Sequence, residues 1–374
     1  MRHWKKLLWG SLCLLSLLGL FLMRAGDKRM IRALTPQLSA ARWEAEDKPY
    51  AMASAVMEAG AGVDPGRMGE IFLKVENALT AGGVGSSEYP WYYAASCMLD
   101  GQLRAENGGS CSVELTAVGG DFFQAHPMRV LSGWYFDQND VMRDRIVLDR
   151  RSAWDLFYSY DVAGQFVELD GTAYLVAAVV DLEDGKQNEM AAGDTRRAWV
   201  LWDSPALGER EIEFTCMEMI LPQPVKDFAV STLRLALADQ TGESLTVIDN
   251  SGRFSLKNRW DVLRHISTRG ISDGGAAYPY WENAARLTEN RLALRLIPEA
   301  LLLLFPAVSL IILLLWLNRR RTWGLRSLKN AAETLVDRKR QRDYAARQQM
   351  PAERDPLAYE AGAEDAPKDL RRRN

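Results

Sequence analysis

LSGWYFDQNDVMRDRIVLDRRSAWDLFYSYDVAGQFVELDGTAYLVAAVV, residues 131–180, carries the local signals that decide the fold class. Asp170-Gly171 separates two apolar, strand-forming runs, 166–169 and 172–180. An Asp-Gly pair supplies the positive φ angles that a type I′ hairpin turn demands. Upstream, Asp149 can cap a short helix in which Ala153, Leu156 and Phe157 recur at helical spacing. A helix set among strands points to an α+β domain.

The pattern extends outward on both sides. Residues 91–99 and 110–118 read as strands joined by the Gly/Asn-rich link DGQLRAENGG (100–109), and 198–202, 211–220 and 244–248 read as further strands. A helix is expected over 228–238. Asp64-Pro65 places a cap and an N1 proline before a second one at 66–79. There Ile71, Val75 and Leu79 form an apolar stripe that Gly82-Gly83 stops. Residues 27–60 hold few β-branched residues and many Ala, Met, Arg and Glu, so they read as a helical stalk. Residues 281–297 show helical spacing too. The expected whole is an α+β head, with mixed or antiparallel sheets, on two stalk helices.

Both stalks lead into apolar runs. LLWGSLCLLSLLGLFLM (7–23) lies between Lys6 and Arg24, and ALLLLFPAVSLIILLLWLN (300–318) between Glu299 and Arg319. A helix of about 20 apolar residues crosses a bilayer core about 30 Å thick, so each run is long enough to span. Such spans are helical because lipid cannot satisfy bare backbone groups. Trp4 and Trp9 suit the headgroup level, and Pro306 is placed to kink the second helix. The N-terminus also has the general form of a signal peptide. Its apolar run exceeds the usual h-region of about 7–15 residues, and Arg24-Ala25-Gly26-Asp27 offers no clean small-x-small cleavage site, which favours an uncleaved anchor.

Charge sets the expected orientation. The first span is flanked by Arg2, Lys5 and Lys6 on one side and by Arg24, Lys28, Arg29 and Arg32 on the other, so alone it decides nothing. Between 318 and 347 ten Lys/Arg face three acids, and basic residues stay on the cytoplasmic side. The reading is therefore a two-pass protein of the cell membrane: cytoplasmic 1–6, span 7–23, extracytoplasmic domain with stalks 24–298, span 299–318, basic amphipathic cytoplasmic segment 319–350 and a polar, disordered tail 351–374. Both termini are then cytoplasmic.

The formal net charge of −3 conceals basic ends and an acidic external domain. Nucleic-acid binding needs a basic face on a folded domain, whereas here the basic residues gather beside a membrane, where anionic lipid is the natural partner. Of the four cysteines, Cys13 falls in the first span and Cys216 reads as a lone buried thiol in a strand. Cys97 and Cys111 lie in the two segments joined by DGQLRAENGG. If those pair as a hairpin, the thiols could meet, and an oxidising exterior would keep them bonded.

Catalytic patterns fail on their chemistry. Gly270-Ile-Ser272-Asp-Gly274 fits G-x-S-x-G, but a nucleophile elbow needs a later His, and the three histidines are His3, His126 and His265. Cys and His do not cluster as zinc sites require. Asp181, Glu183, Asp184 and Glu189 surround Gly185 without EF-hand alternation, and Gly60-Ala-Gly62 lacks the spacing of a dinucleotide fingerprint. No cofactor or metal is implied.

One family pattern does run through the opening stretch. Leu131-Ser-Gly133-Trp-Tyr-Phe136, Asp140, Ile146-Val-Leu-Asp149, Ala153, Leu156-Phe157, Gly164, Val167-Glu-Leu169, Gly171, Tyr174 and the run 176–180 occur in that order. Over residues 110–182 this resembles the MacB-like periplasmic core domain of ABC-transporter permeases (the MacB/FtsX type). Each of these residues has a structural role, so the resemblance implies a fold rather than a chemistry. It also implies a cytoplasmic segment facing an ATPase after the second span. Arg319, Arg320, Arg321, Gly324, Leu325, Arg326 and Leu328 approximate that segment, although an ordinary basic, amphipathic juxtamembrane helix explains the same residues. The family's two further spans are not expected here, and the chain has no Walker A motif. The resemblance therefore implies a non-enzymatic permease-like subunit of an ABC-type export or mechanotransmission system, working with partner ATPase and permease chains. The alternative is a membrane-tethered binding or scaffold protein whose head captures an extracytoplasmic peptide, lipid or protein.

Overall fold

The Asp170-Gly171 turn forms as its sequence demands, with φ of 47° and 85°, and joins β6 (Phe166–Leu169) to β7 (Thr172–Asp181). In the computed structural model the described residues are 2–43, 49–58, 60–208, 210–241, 245–269, 278–320 and 325–348. The remaining strands are β1 (Tyr50–Val56), β2 (Tyr92–Ala105), β3 (Ser110–Gly120), β4 (Arg129–Gly133), β5 (Arg145–Asp149), β8 (Arg197–Leu201), β9 (Cys216–Pro222) and β10 (Thr246–Asp249). The helices are α1 (Arg2–Arg32), α2 (Met68–Ala81), α3 (Phe122–Ala125), α4 (Arg150–Phe157), α5 (Lys186–Ala192), α6 (Phe228–Thr241), α7 (Leu256–His265), α8 (Tyr280–Arg320) and α9 (Leu325–Gln348). The chain divides into two compact units, Met1–Pro306 and Ala307–Asn374.

The strands make one mixed sheet in the order β10-β1-β9-β2-β3-β8-β5-β7-β4, with β6 bridging β2 and β7. Pairs β3/β8 and β5/β7 are parallel and the others antiparallel. Both faces of the inner strands are largely buried, so these strands are mostly apolar on both sides, with Ser54 of β1 and Glu218 of β9 among the buried polar exceptions. Ala51, Ala53, Met217 and Met219 face α2 and α6 on one side. Along the same face, Leu115, Ile146, Leu148 and Val200 pack with Leu156 of α4. Met52, Val147, Trp199 and Ile220 face the other way, onto Phe122, Tyr280 and Trp281. The start of α8 is therefore part of the head's core.

Several local expectations hold. Asp149 caps α4, its Oδ1 accepting from Ser152 N at 2.8 Å. Asp64 accepts from Gly66 N before a short 3₁₀ turn (Pro65–Arg67) leads into α2. Ile71, Val75 and Leu79 are fully buried. Cys216 is a buried free thiol in β9.

Two expectations are corrected. Residues 27–60 are not one helix: α1 ends at Arg32, a 3₁₀ segment spans Pro36–Arg42, and Tyr50–Val56 is an inner strand. Its Ala and Met residues favour helix in isolation, but pairing with β9 and β10 and burial on both faces override that preference. The hairpin carrying Cys97 and Cys111 also exists, but no disulfide joins them and both are free. β2 runs on through the supposed link to Ala105, so Cys97 lies opposite Ala117 and Cys111 opposite Leu103. That offset puts the thiols about 20 Å apart along the strands, far beyond disulfide reach. The Gly270–Gly274 motif and the tail after 350 fall outside the described residues.

The helices α1 and α8 are each long and apolar enough to cross a membrane. Within the first unit they touch: Gly19 faces Leu302, the Ser16 hydroxyl donates to Leu302 O, and Trp9 lies 5.2 Å from Phe305. α8 runs through Pro298 and Pro306.

Gly133 shows why the opening stretch is so specific. Its φ is +75°, and a Cβ there would sit 2.0 Å from Ala177 O, where β4 crosses β7. Gly133→Ala should destabilise the head by about 3 kcal/mol or more, read as a lowered thermal midpoint of the detergent-solubilised protein. An unchanged midpoint would refute the assigned backbone path.

Candidate functional site: a buried ionic junction between head and stalks

Several charged residues of the stalk helices, Asp27, Glu282, Glu289 and Glu299 among them, are buried where the helices enter the head. Asp27 (3% exposed), near the end of α1, and Glu299 (4%), in α8, share one cation, Arg259 of α7 (7%). Arg259 Nη2 stands 2.8 Å from Glu299 Oε1 and 3.3 Å from Asp27 Oδ2, and also donates to Leu292 O at 2.8 Å. Arg295 of α8 pairs with Asp27, and Arg24 of α1 with Glu299 at 3.1 Å. Each helix thus grips the other directly and both grip α7. Arg24 and Glu299 also border the two apolar runs, so this knot lies at the ends of those runs.

A second knot sits deeper. Arg253, 3% exposed, forms a bidentate pair with Glu282 of α8 at 2.5 and 2.6 Å and approaches Glu289 Oε1 at 3.1 Å. Arg269 pairs with the same Glu289. Burial alone would favour a neutral Arg253, but the two carboxylates outweigh it and hold the guanidinium charged, its pKa above the ordinary value. From Arg253 a chain of hydrogen bonds enters the sheet. Its Nη1 donates to Asn250 Oδ1 (3.1 Å), Asn250 Nδ2 to Ser54 Oγ (2.7 Å), and Ser54 Oγ to Glu218 Oε1 (2.9 Å). Glu218 Oε2 then meets His126 Nε2, and the imidazole stacks on Phe122 at 4.5 Å and lies 4.7 Å from Trp281. The network leaves α8, passes the end of β10, crosses β1 and β9, and returns to α8.

A third contact fixes the first turn of α8. The Tyr280 ring lies 4.7 Å beneath the Arg197 guanidinium, and Arg197 Nε donates to Glu114 Oε1 at 2.8 Å. Tyr280 Oη donates to Glu183 Oε2 at 3.2 Å. Burial raises the Glu183 carboxyl above its ordinary value near 4.5, against opposing help from a hydrogen bond of its own backbone, from His126, from Tyr280 and from Arg197.

The junction is built from charge pairs between elements. No nucleophile–base pair appears in it, and among the described residues no group of three or more His, Cys, Asp or Glu could hold a metal ion. Buried ion pairs add little net stability over apolar packing, yet losing one partner costs about 3–5 kcal/mol because the other charge is stranded. The pairs therefore resist separation and fix the relative register of the elements they join.

The residues singled out for ATPase coupling lie elsewhere. Arg319 and Arg320 end α8, and Leu325, Arg326 and Leu328 open α9. Arg321 and Gly324 lie outside the described residues. The junction residues were not recognisable as a set, because Asp27, Arg259 and Glu299 are far apart in sequence. The available signal was the recurrence of Glu282, Arg286 and Glu289 at one-turn intervals on a helix about to become wholly apolar.

The raised Glu183 carboxyl has a pH consequence. Its protonated form is favoured in the fold, so its contribution to stability is full below the ordinary value near 4.5 and is lost as pH rises through the raised value. Glu183→Gln removes this dependence. In thermal melts the variant should gain on the wild type as pH rises towards neutrality, with a constant difference on the acid side. A difference independent of pH throughout would contradict the burial of this carboxyl.

Comparison with known proteins gives structural likeness only. No protein-family model matches the chain, and no curated protein matches it. Among solved structures it is similar to the extracellular domain of the noncanonic ABC-type transporter YknZ from Gram-positive bacteria, with TM-score 0.38 and 14% identity over 53% of this chain and 99% of that one. It is also similar to the periplasmic region of MacB from Actinobacillus actinomycetemcomitans, with TM-score 0.39 and 14% identity over 59% and 94% of the two chains. A domain of a permease protein from Porphyromonas gingivalis gives TM-score 0.32 and 10% identity over 53% and 88%.

Proposed function

We propose that this chain is a non-enzymatic, permease-like membrane subunit of an ABC-type export or mechanotransmission system, its external head coupled through two membrane helices to an ATPase supplied by another chain. The observation that carries this reading is the ionic junction. Asp27 of α1 and Glu299 of α8 meet on Arg259, while Glu282 and Glu289 of α8 hold Arg253. A tether needs no such register between its helices; a lever does. The motif over residues 131–180 supports the same reading, because it resembles the external core of such permeases. In this reading the basic residues from Arg319 onward lie on the cytoplasmic side, both termini are cytoplasmic, and the segment 319–328 contacts the partner ATPase. Helix displacements of about 1–2 Å at packed interfaces are enough to switch a bistable assembly, and rigidly joined stalks would deliver them to the head.

The alternative is a membrane-tethered binding or scaffold protein with no ATPase coupling. The two readings separate in one experiment. The full chain is purified in mild detergent from its own cells, and a chain lacking residues 319–347 is treated in the same way. Coupling predicts that an ATPase and a permease chain co-purify with the first and are lost from the second. If no ATPase accompanies the full chain, or if the deletion leaves recovery unchanged, the coupled reading is wrong and the tethered binder stands.

A further inference from the structure

The acids and bases around the junction are sorted by depth. Over residues 24–32, 255–265 and 286–299 every carboxylate is buried apart from the half-buried Asp261, whereas seven lysines and arginines are exposed. Arg24 spends its charge on Glu299. Among the described residues, Lys28, Arg29, Lys257 and Arg264 have no carboxylate partner, although all four are exposed. The charges inside the knot pair with one another, and the surface around it is cationic.

The level of this surface is set by Arg24 and Glu299, which border the two apolar runs and meet at 3.1 Å. At a rise of about 1.5 Å per residue, Lys28 and Arg29 stand about 6–8 Å beyond that border. The headgroup layer of a bilayer is about 5–8 Å deep on each side of the hydrocarbon, so both cations fall within it. α7 is held at the same border, because Arg259 Nη2 reaches Glu299 Oε1 at 2.8 Å and Asp27 Oδ2 at 3.3 Å.

α7 has the two faces of a helix that lies on a membrane. Arg259 and Val262 are buried, whereas Leu256 (63% exposed) and Trp260 (50%) recur one turn apart on the outer side, with Lys257 and Arg264 beside them. The Arg264 guanidinium lies 5.3 Å from the centre of the Trp260 ring. Leu294 and Ile297 of α8 are also exposed, carrying apolar surface past Glu299 towards the head. An indole and aliphatic side chains flanked by cations match the headgroup level, where apolar carbon and phosphate are both within reach.

We propose that α7 and the head end of α1 rest on the bilayer surface. Leu256 and Trp260 enter the headgroup region, and Lys28, Arg29, Lys257 and Arg264 bind anionic lipid headgroups. The occupant of this face is the leaflet through which α1 and α8 pass, because the ionic knot that borders their apolar runs also holds α7. The proposal rests on α1 and α8 spanning a membrane and not on coupling to an ATPase.

The full chain, reconstituted in nanodiscs of phosphatidylcholine with about one-third phosphatidylglycerol, tests this. A benzophenone amino acid replaces Trp260 or, in a second variant, Leu256; irradiation attaches it to its neighbour, and mass spectrometry identifies the adduct. The same amino acid in place of Phe21, within the first apolar run, reports insertion. In place of Leu73, also 63% exposed but on α2 across the sheet from the start of α8, it reports background. Lipid adducts are expected at positions 21, 256 and 260 and not at 73. At position 260 the ratio of phosphatidylglycerol to phosphatidylcholine should exceed the bulk ratio at least about threefold. Lys28→Gln/Arg29→Gln/Lys257→Gln/Arg264→Gln should return it to the bulk value. Lipid adducts at position 21 but at neither 256 nor 260, adducts there to a second copy of the chain, or enrichment unchanged in the quadruple variant would overturn the proposal. No lipid adduct even at position 21 would overturn it together with the membrane reading beneath it. Because no ATPase is present, either failure is distinct from failure to recover one.

Discussion

Two guanidinium groups hold this molecule's head to its two long apolar helices. Arg259 sits between Asp27 and Glu299, and Arg253 sits between Glu282 and Glu289. Each carries a charge into a nearly dry environment, where water cannot stand in for a lost carboxylate. Much of the remaining arrangement follows from that constraint. α7 lies where it does because it brings Arg259 to both stalks. The first turn of α8 enters the hydrophobic core because Glu282 must reach Arg253, and Tyr280 and Trp281 come with it. The hydrogen-bond path through Asn250, just past β10, to Ser54 and Glu218 then ties this anchor to strands β1 and β9 of the sheet.

The sheet supplies the rigid body that such an anchor requires. Its inner strands are buried on both faces, with α2, α4 and α6 on one side and the stalk entry on the other. Asn250, Ser54 and Glu218 are hydrogen-bonded to one another in that core, and such a buried network is costly to disturb in part. α1 and α8 also touch again within their apolar lengths, at Gly19 and Leu302 and at Trp9 and Phe305. The two helices are thus joined both inside and outside the head.

What could be read from the sequence was local. The Asp170-Gly171 hairpin, the Asp149 cap and the Ile71, Val75, Leu79 stripe each depend on residues a few positions apart, and each formed as expected. In the segment that forms β1, Ala-Met-Ala-Ser-Ala favours helix by itself, and only its pairing with the distant β9 and β10 makes it a strand. The thiols of Cys97 and Cys111 failed to meet because register depends on where a turn falls, and the turn came after Ala105 rather than after Leu99. The junction was the least legible of all. Asp27 and Arg295 are ordinary helix charges until folding places them together, and nothing near either in sequence records the other.

Hydrogen exchange on Arg259→Gln, compared with wild type in the same detergent, is the most direct measurement of whether this junction holds the two stalks to the head. Loss of Arg259 cuts the tie of Asp27 and Glu299 to α7 and leaves them only the more exposed Arg295 and Arg24, so amide protection should fall together at the end of α1 and in α8 around Glu299. Protection in the inner strands β3, β5 and β8 should stay as it was. Protection unchanged in both helices, or lost in one and kept in the other, would mean that the ionic junction does not join them.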